Sequence, residues 1–135
     1  MTRARFEQLV ADAIRTIPAR FRDELRNIAV IVEDEPTDDL LDDMGIDPPD
    51  TLYGLYQGTP LTERAWDYGN ALPDRITLYQ FPIEDSSEND DDVVVAIGET
   101  LIHEVGHYFG LSEEELEEIE ERYWHSLDPS AGDGA

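Results

Sequence analysis

Eleven residues, from His103 through Glu104 and His107 to Glu113, place two imidazoles and several carboxylates at spacings that suit metal-assisted hydrolysis. They read His-Glu-Val-Gly-His-Tyr-Phe-Gly-Leu-Ser-Glu. Residues four apart on a helix share a face, so His103 and His107 can offer two ring nitrogens to one zinc ion. Glu104, one position further round, can reach a water on that ion and act as general base instead of ligand. Such a centre needs a third protein ligand and an open fourth position. Gly110 falls where a helix ending just after His107 wants a left-handed residue, which lets the chain double back at once. Ser112 and Glu115 form a capping box, so a second helix is expected to start with Ser112 as its N-cap and Glu113 as its first residue. His103, His107 and Glu113 are therefore the expected ligands of one zinc ion per chain. Seven of the nine residues 113–121 are glutamates, a pattern usual for a solvated helix face, so Glu114 and Glu117 compete for the third position. His125 is a further donor whose spacing does not recommend it.

Around these residues the chemistry asks for support. The outer ring nitrogens of ligating histidines need a carboxylate or carbonyl partner, and Glu99, one helical turn before His103, is a candidate. Against it stands the plain alternative of a solvated Glu99. An oxyanion needs a donor, and Tyr108, Tyr123 and His125 lie near in sequence, although packing is the more ordinary role for each.

Length and composition narrow the function further. A chain of 135 residues makes one small domain with a core of its own, expected to span residues 1–126, followed by a small-residue tail at 127–135 expected to be disordered. Without cysteine there are no disulfides or thiolate metal sites, which leaves His, Asp and Glu as zinc ligands. Asp and Glu number 33 against nine basic residues, giving a formal net charge of −24, so no nucleic-acid partner is expected. All nine basic residues are arginine. The acidity attracts cationic substrates if it lies near the site, and serves only solubility if it lies elsewhere. No apolar run reaches transmembrane length, and Glu7, Asp12 and Arg15 interrupt the first apolar stretch, so neither a membrane anchor nor a signal peptide is expected and the cytoplasm is the expected location.

The elements that must position the motif can be read in order. Phe6, Leu9, Val10, Ala13, Ile14 and Ile17 recur at helical spacing up to Pro18, and a short helical segment carries Phe21 and Leu25. Residues 28–32 form a β-branched run of strand length. Residues 33–50 read as loop with one helical turn at 39–44; residues 51–57 and 75–81 read as strands separated by a loop at 58–74. The acidic stretch 86–92 precedes a helix over 91–109, where negative charge complements the helix dipole. A last helix runs from Glu113 to about Tyr123. Gly54 and Gly58 permit close backbone approach, of a substrate strand or of the protein itself in a bulge and a turn.

Two segments, HEVGHYFGLSEEEL and LYGLYQGTPLTERAWDYGNALPDRITLYQFPIED, resemble the mini-zincins, small bacterial zincin-like metallopeptidases, and the likeness extends over roughly residues 5–125. The resemblance implies an α+β fold: a minimal zincin-like domain whose three- to four-stranded sheet packs against the HExxH helix and two to three further helices. It also implies zinc on that helix, an acidic residue completing the ligands, and hydrolysis of peptide bonds in a peptide or protein substrate. Met1 and Met44 both precede the motif, so the methionine turn of metzincins is absent, and Glu113 stands where many metzincins carry histidine. A zinc-binding regulatory or interaction module with a vestigial peptidase site is the alternative. Oligomeric state cannot be read from these residues.

Overall fold

A computed structural model describes residues 1–58 and 74–127, with side chains through Tyr123. The expected loop at 58–74 lies almost wholly outside the described residues, as do the side chain of His125 and residues 128–135 of the tail expected to be disordered.

The chain opens with α1 (Arg3–Thr16), whose stripe of Phe6, Leu9, Val10 and Ala13 is buried and whose N-cap Thr2 accepts a hydrogen bond from the amide of Arg5. Pro18 ends that run and begins α2 (Ala19–Leu25), which buries Phe21 and Leu25. Strand β1 (Ala29–Glu33) follows, then the short α3 (Asp38–Asp43), β2 (Gly54–Gln57) and β3 (Arg75–Tyr79). β3 lies in the centre of the described sheet, parallel to β1 and antiparallel to β2. Its Ile76, Leu78 and Tyr79 are buried.

The long helix α5 (Asp90–Phe109) backs the sheet and buries Val93, Ile97, Leu101, Ile102 and Val105 in a core shared with α1 and α2. Its start matches the expected charge pattern: Asn89 accepts from the amide of Asp92, and Asp90, Asp91 and Asp92 fill the first turn, where the positive end of the dipole favours them. α6 (Glu113–Leu127) then folds back on α5. The α+β architecture with a small sheet is the expected one; the mixed pairing of its three described strands comes from the structure, and five described helices accompany α5 where two to three were expected.

Three local differences from the expected elements have plain causes. β3 stops at Tyr79 and is followed at once by α4 (Gln80–Asp85), where a strand running on to Phe81 was expected. Pro82 falls in the first turn of α4, where proline is tolerated because the missing N–H has no partner there. Buried Gln80 anchors this start, taking a hydrogen bond from Arg3 and giving others to the carbonyl of Met1 and to Glu84. β2 begins only at Gly54, and α6 runs to Leu127, past the expected end near Tyr123. Among the described residues no helix is long and apolar enough to cross a membrane.

Candidate metal centre

The two histidines sit in the last turns of α5, and their rings lie 4.5 Å apart between centroids at an interplanar angle of 70°. Gly110 ends the helix with φ +76°, in the left-handed region, and the amide of Leu111 closes back on the carbonyl of Gly106. The capping box then forms in both directions: the amide of Glu115 donates to Ser112 Oγ at 3.1 Å, and the amide of Ser112 donates to Glu115 Oε1 at 3.3 Å. Glu113 is thereby fixed as the first residue of α6.

The crossing of α5 and α6 decides which carboxylates face the histidines. Glu113, Leu116, Glu120 and Tyr123 recur every three or four residues and share one face of α6. Leu116 and Tyr123 are buried against two glycines of α5. A Cβ on Gly106 would lie 2.1 Å from Leu116 Cδ2, and one on Gly98 would lie 2.0 Å from the Tyr123 hydroxyl oxygen. Close contact at these two points brings Glu113 and Glu120, which lie on the same face, over His103 and His107.

Glu113 Oε1 lies 3.1 Å from His107 Nε2 and 3.8 Å from His103 Nε2. One donor atom from each of the three residues falls within 4.8 Å of the others. Tetrahedral zinc with bonds of about 2.0–2.1 Å holds its ligand atoms roughly 3.3 Å apart, so the chemistry and spacing of this set fit the ion. Glu114 and Glu117 take no part in such a group among the described residues.

Behind the pair, Glu120 Oε1 lies 3.3 Å from His103 Nδ1. This carboxylate is placed to orient the first histidine, a role for which the sequence offered Glu99 as a candidate beside the alternative of a solvated Glu99. Glu99 is on the correct helix and lines the neighbouring cleft, but the partner comes from α6. The available signal was the seven-residue interval between Glu113 and Glu120, which returns to the same helix face after two turns. Replacing Glu120 by Gln or Ala is expected to weaken zinc affinity by about 10–100-fold, the usual cost of losing an outer partner of a ligating histidine. Competition with a chelating dye measures it, and an unchanged affinity would remove Glu120 from this role.

Glu104 is the most enclosed member of the group, with 16% of its side chain exposed, and its Oε2 lies 3.6 Å from His107 Nδ1. Burial raises its carboxyl above the ordinary value, while His107 and His103 pull it back. Tyr123, named with Tyr108 and His125 as a possible oxyanion donor, takes the packing role that was the more ordinary expectation. Its hydroxyl is 3.1 Å from Thr16 Oγ1, and since that threonine gives its own proton to the Ala13 carbonyl, Tyr123 donates to it. Tyr123 is thus a core residue linking α6 to α1, and burial raises its pKa. Tyr108 does line the cleft beside His107, its ring 5.3 Å from that of Tyr56. Gly54 serves the protein's own packing: a Cβ there would lie 2.5 Å from Thr100 Cγ2, so the glycine lets β2 close onto α5 beside the site.

Two histidines one turn apart on α5 and a carboxylate returning from α6 form a group that could hold a metal ion, with a shielded glutamate beside it. The chain belongs to the zincin-like metallopeptidase family, whose model matches residues 25–123. No curated protein matches it significantly in sequence.

Proposed function

We propose that the protein is a zinc-dependent peptidase, with His103, His107 and Glu113 holding the ion and Glu104 acting as general base. The observation that carries this reading is the convergence of the two Nε2 atoms and Glu113 Oε1 at the mouth of a cleft that Glu104 also lines. Zinc bound there supplies Lewis acidity toward a water and toward the carbonyl of the scissile bond. The side chains do the rest. Glu104, shielded from solvent, takes a proton from the attacking water as its oxygen adds to the acyl carbon. The C–N bond then breaks, and Glu104 returns the proton to the departing amine nitrogen. Glu120 keeps the His103 ring turned so that Nε2 faces the ion. The substrate is a peptide or protein segment laid along the cleft between β2 and α5.

Hydrolysis of an unstructured protein such as casein, followed with and without a chelator, tests the reading. Cleavage should stop on chelation and return when zinc is added back. Cleavage that persists through exhaustive chelation would exclude it.

A further inference from the structure

The first two turns of α6, residues 113–120, hold the carboxylates that face the histidines and also the contact that places them. Leu116 is buried over Gly106, and half-buried Ile119 packs against the same core. Further along, Tyr123 closes over Gly98 and reaches Thr16 of α1, which anchors the far end of the helix. Glu113 and Glu120 share the face of Leu116, so seating Leu116 in its notch brings both to the histidines together: Glu113 to His107 at 3.1 Å and Glu120 to His103 at 3.3 Å.

The composition of these turns works against that seating. Seven of the nine residues 113–121 are glutamates, and the pairs Glu113–Glu117, Glu114–Glu118 and Glu117–Glu121 stand four apart, where like charges repel. Arg122 pairs with Glu118 at 3.1 Å, but an exposed pair of this kind contributes little. A helix of 15 residues is marginal in water by itself, so α6 depends on what it touches. Docking adds further charge, because Glu113 and Glu120 join Glu104 around His103 and His107, three carboxylates about two imidazoles. A divalent cation held by the two Nε2 atoms and Glu113 Oε1 offsets that charge and ties the start of α6 to α5.

We propose that residues 113–120 are a metal-dependent clamp, locally unfolded from α5 when the ion is absent and docked through Leu116 when it is bound. This rests on the metal reading of the site and not on peptide hydrolysis. The coupling is reciprocal: whatever factor the ion adds to docking, docking adds to the affinity for the ion. Leu116 is therefore a positioning residue for the metal, although it holds no ligand atom. Release of this segment withdraws the third ligand and the partner of His103 in one movement.

Hydrogen exchange of the full chain, read by mass spectrometry with and without saturating zinc, measures docking, and a competing zinc dye measures affinity. In the wild type, zinc should slow exchange across residues 113–120 by roughly 5–150-fold, the usual range of coupling between two events, and leave β3 nearly unchanged. Leu116→Ala should lose zinc affinity by a factor in the same range while β3 stays protected, and Leu116→Met, which keeps the volume, should restore it. Glu113→Ala at saturating zinc should exchange faster over residues 113–120 than the zinc-loaded wild type. Equal protection of this segment in wild type with and without zinc would overturn the clamp by itself, even if Leu116→Ala fails to fold. So would wild-type affinity in a folded Leu116→Ala, or wild-type protection in zinc-saturated Glu113→Ala, and each of these would leave the metal reading standing. A wild type that binds no zinc at all would overturn both.

Discussion

Glu104→Gln is expected to keep its zinc and to lose peptide hydrolysis by about 10²–10⁴-fold, the usual contribution of a positioned general base. The substitution preserves shape and removes only the ability to take a proton. None of the proposed ligand atoms belongs to Glu104, and the donor group of His103, His107 and Glu113 is complete without it. The position is enclosed, so little solvent is at hand to replace the carboxylate as proton acceptor. Initial rates on a quenched fluorescent peptide, measured beside the zinc content of the same preparation, give the answer. A variant that hydrolyses at the wild-type rate would place the base elsewhere.

Removing a ligand should act on the metal before it acts on the rate. His103→Ala deletes Nε2 from the donor group and leaves Glu120 without the imidazole it orients. His107→Ala deletes the nitrogen nearest to Glu113 Oε1. Either change is expected to lower zinc affinity by more than the roughly 10–100-fold of an outer-partner loss, which in practice means an empty protein after gel filtration. Glu113→Ala should weaken binding less, because that carboxylate is 71% exposed and water can take its place on the ion. Glu114→Ala and Glu117→Ala should leave affinity unchanged. Titration of each variant against a competing zinc dye ranks them, and a loss confined to Glu117→Ala would move the third ligand one turn along α6.

Much of this centre was legible because its parts are local. The four-residue interval of the histidines, the left-handed glycine and the capping box each act within a few residues, and the structure repeats them: Gly110 at φ +76° and both hydrogen bonds of the box between Ser112 and Glu115. The same holds for the amphipathic stripe of α1 and the run that became β1. What the sequence hid depends on how two helices cross. Glu120 is one of many glutamates in a row, and only the contacts of Leu116 and Tyr123 with Gly106 and Gly98 single it out. Tyr123 was open to a chemical role until Thr16, over a hundred residues earlier, proved to receive its hydroxyl. α4 was missed because a β-like run leads directly into a helix whose first turn holds a proline. Gly54 was legible as a site of close approach, but not that the approaching group is Thr100 of the same chain.

Every step above needs an ion in the site proposed for His103, His107 and Glu113. Metal content is therefore the most direct measurement, made by elemental analysis on protein purified without a metal-chelating column, incubated with zinc and freed of excess. One zinc per chain is expected in the wild type and in Glu104→Gln, with none in His103→Ala. A stoichiometry near zero in the wild type would contradict the account.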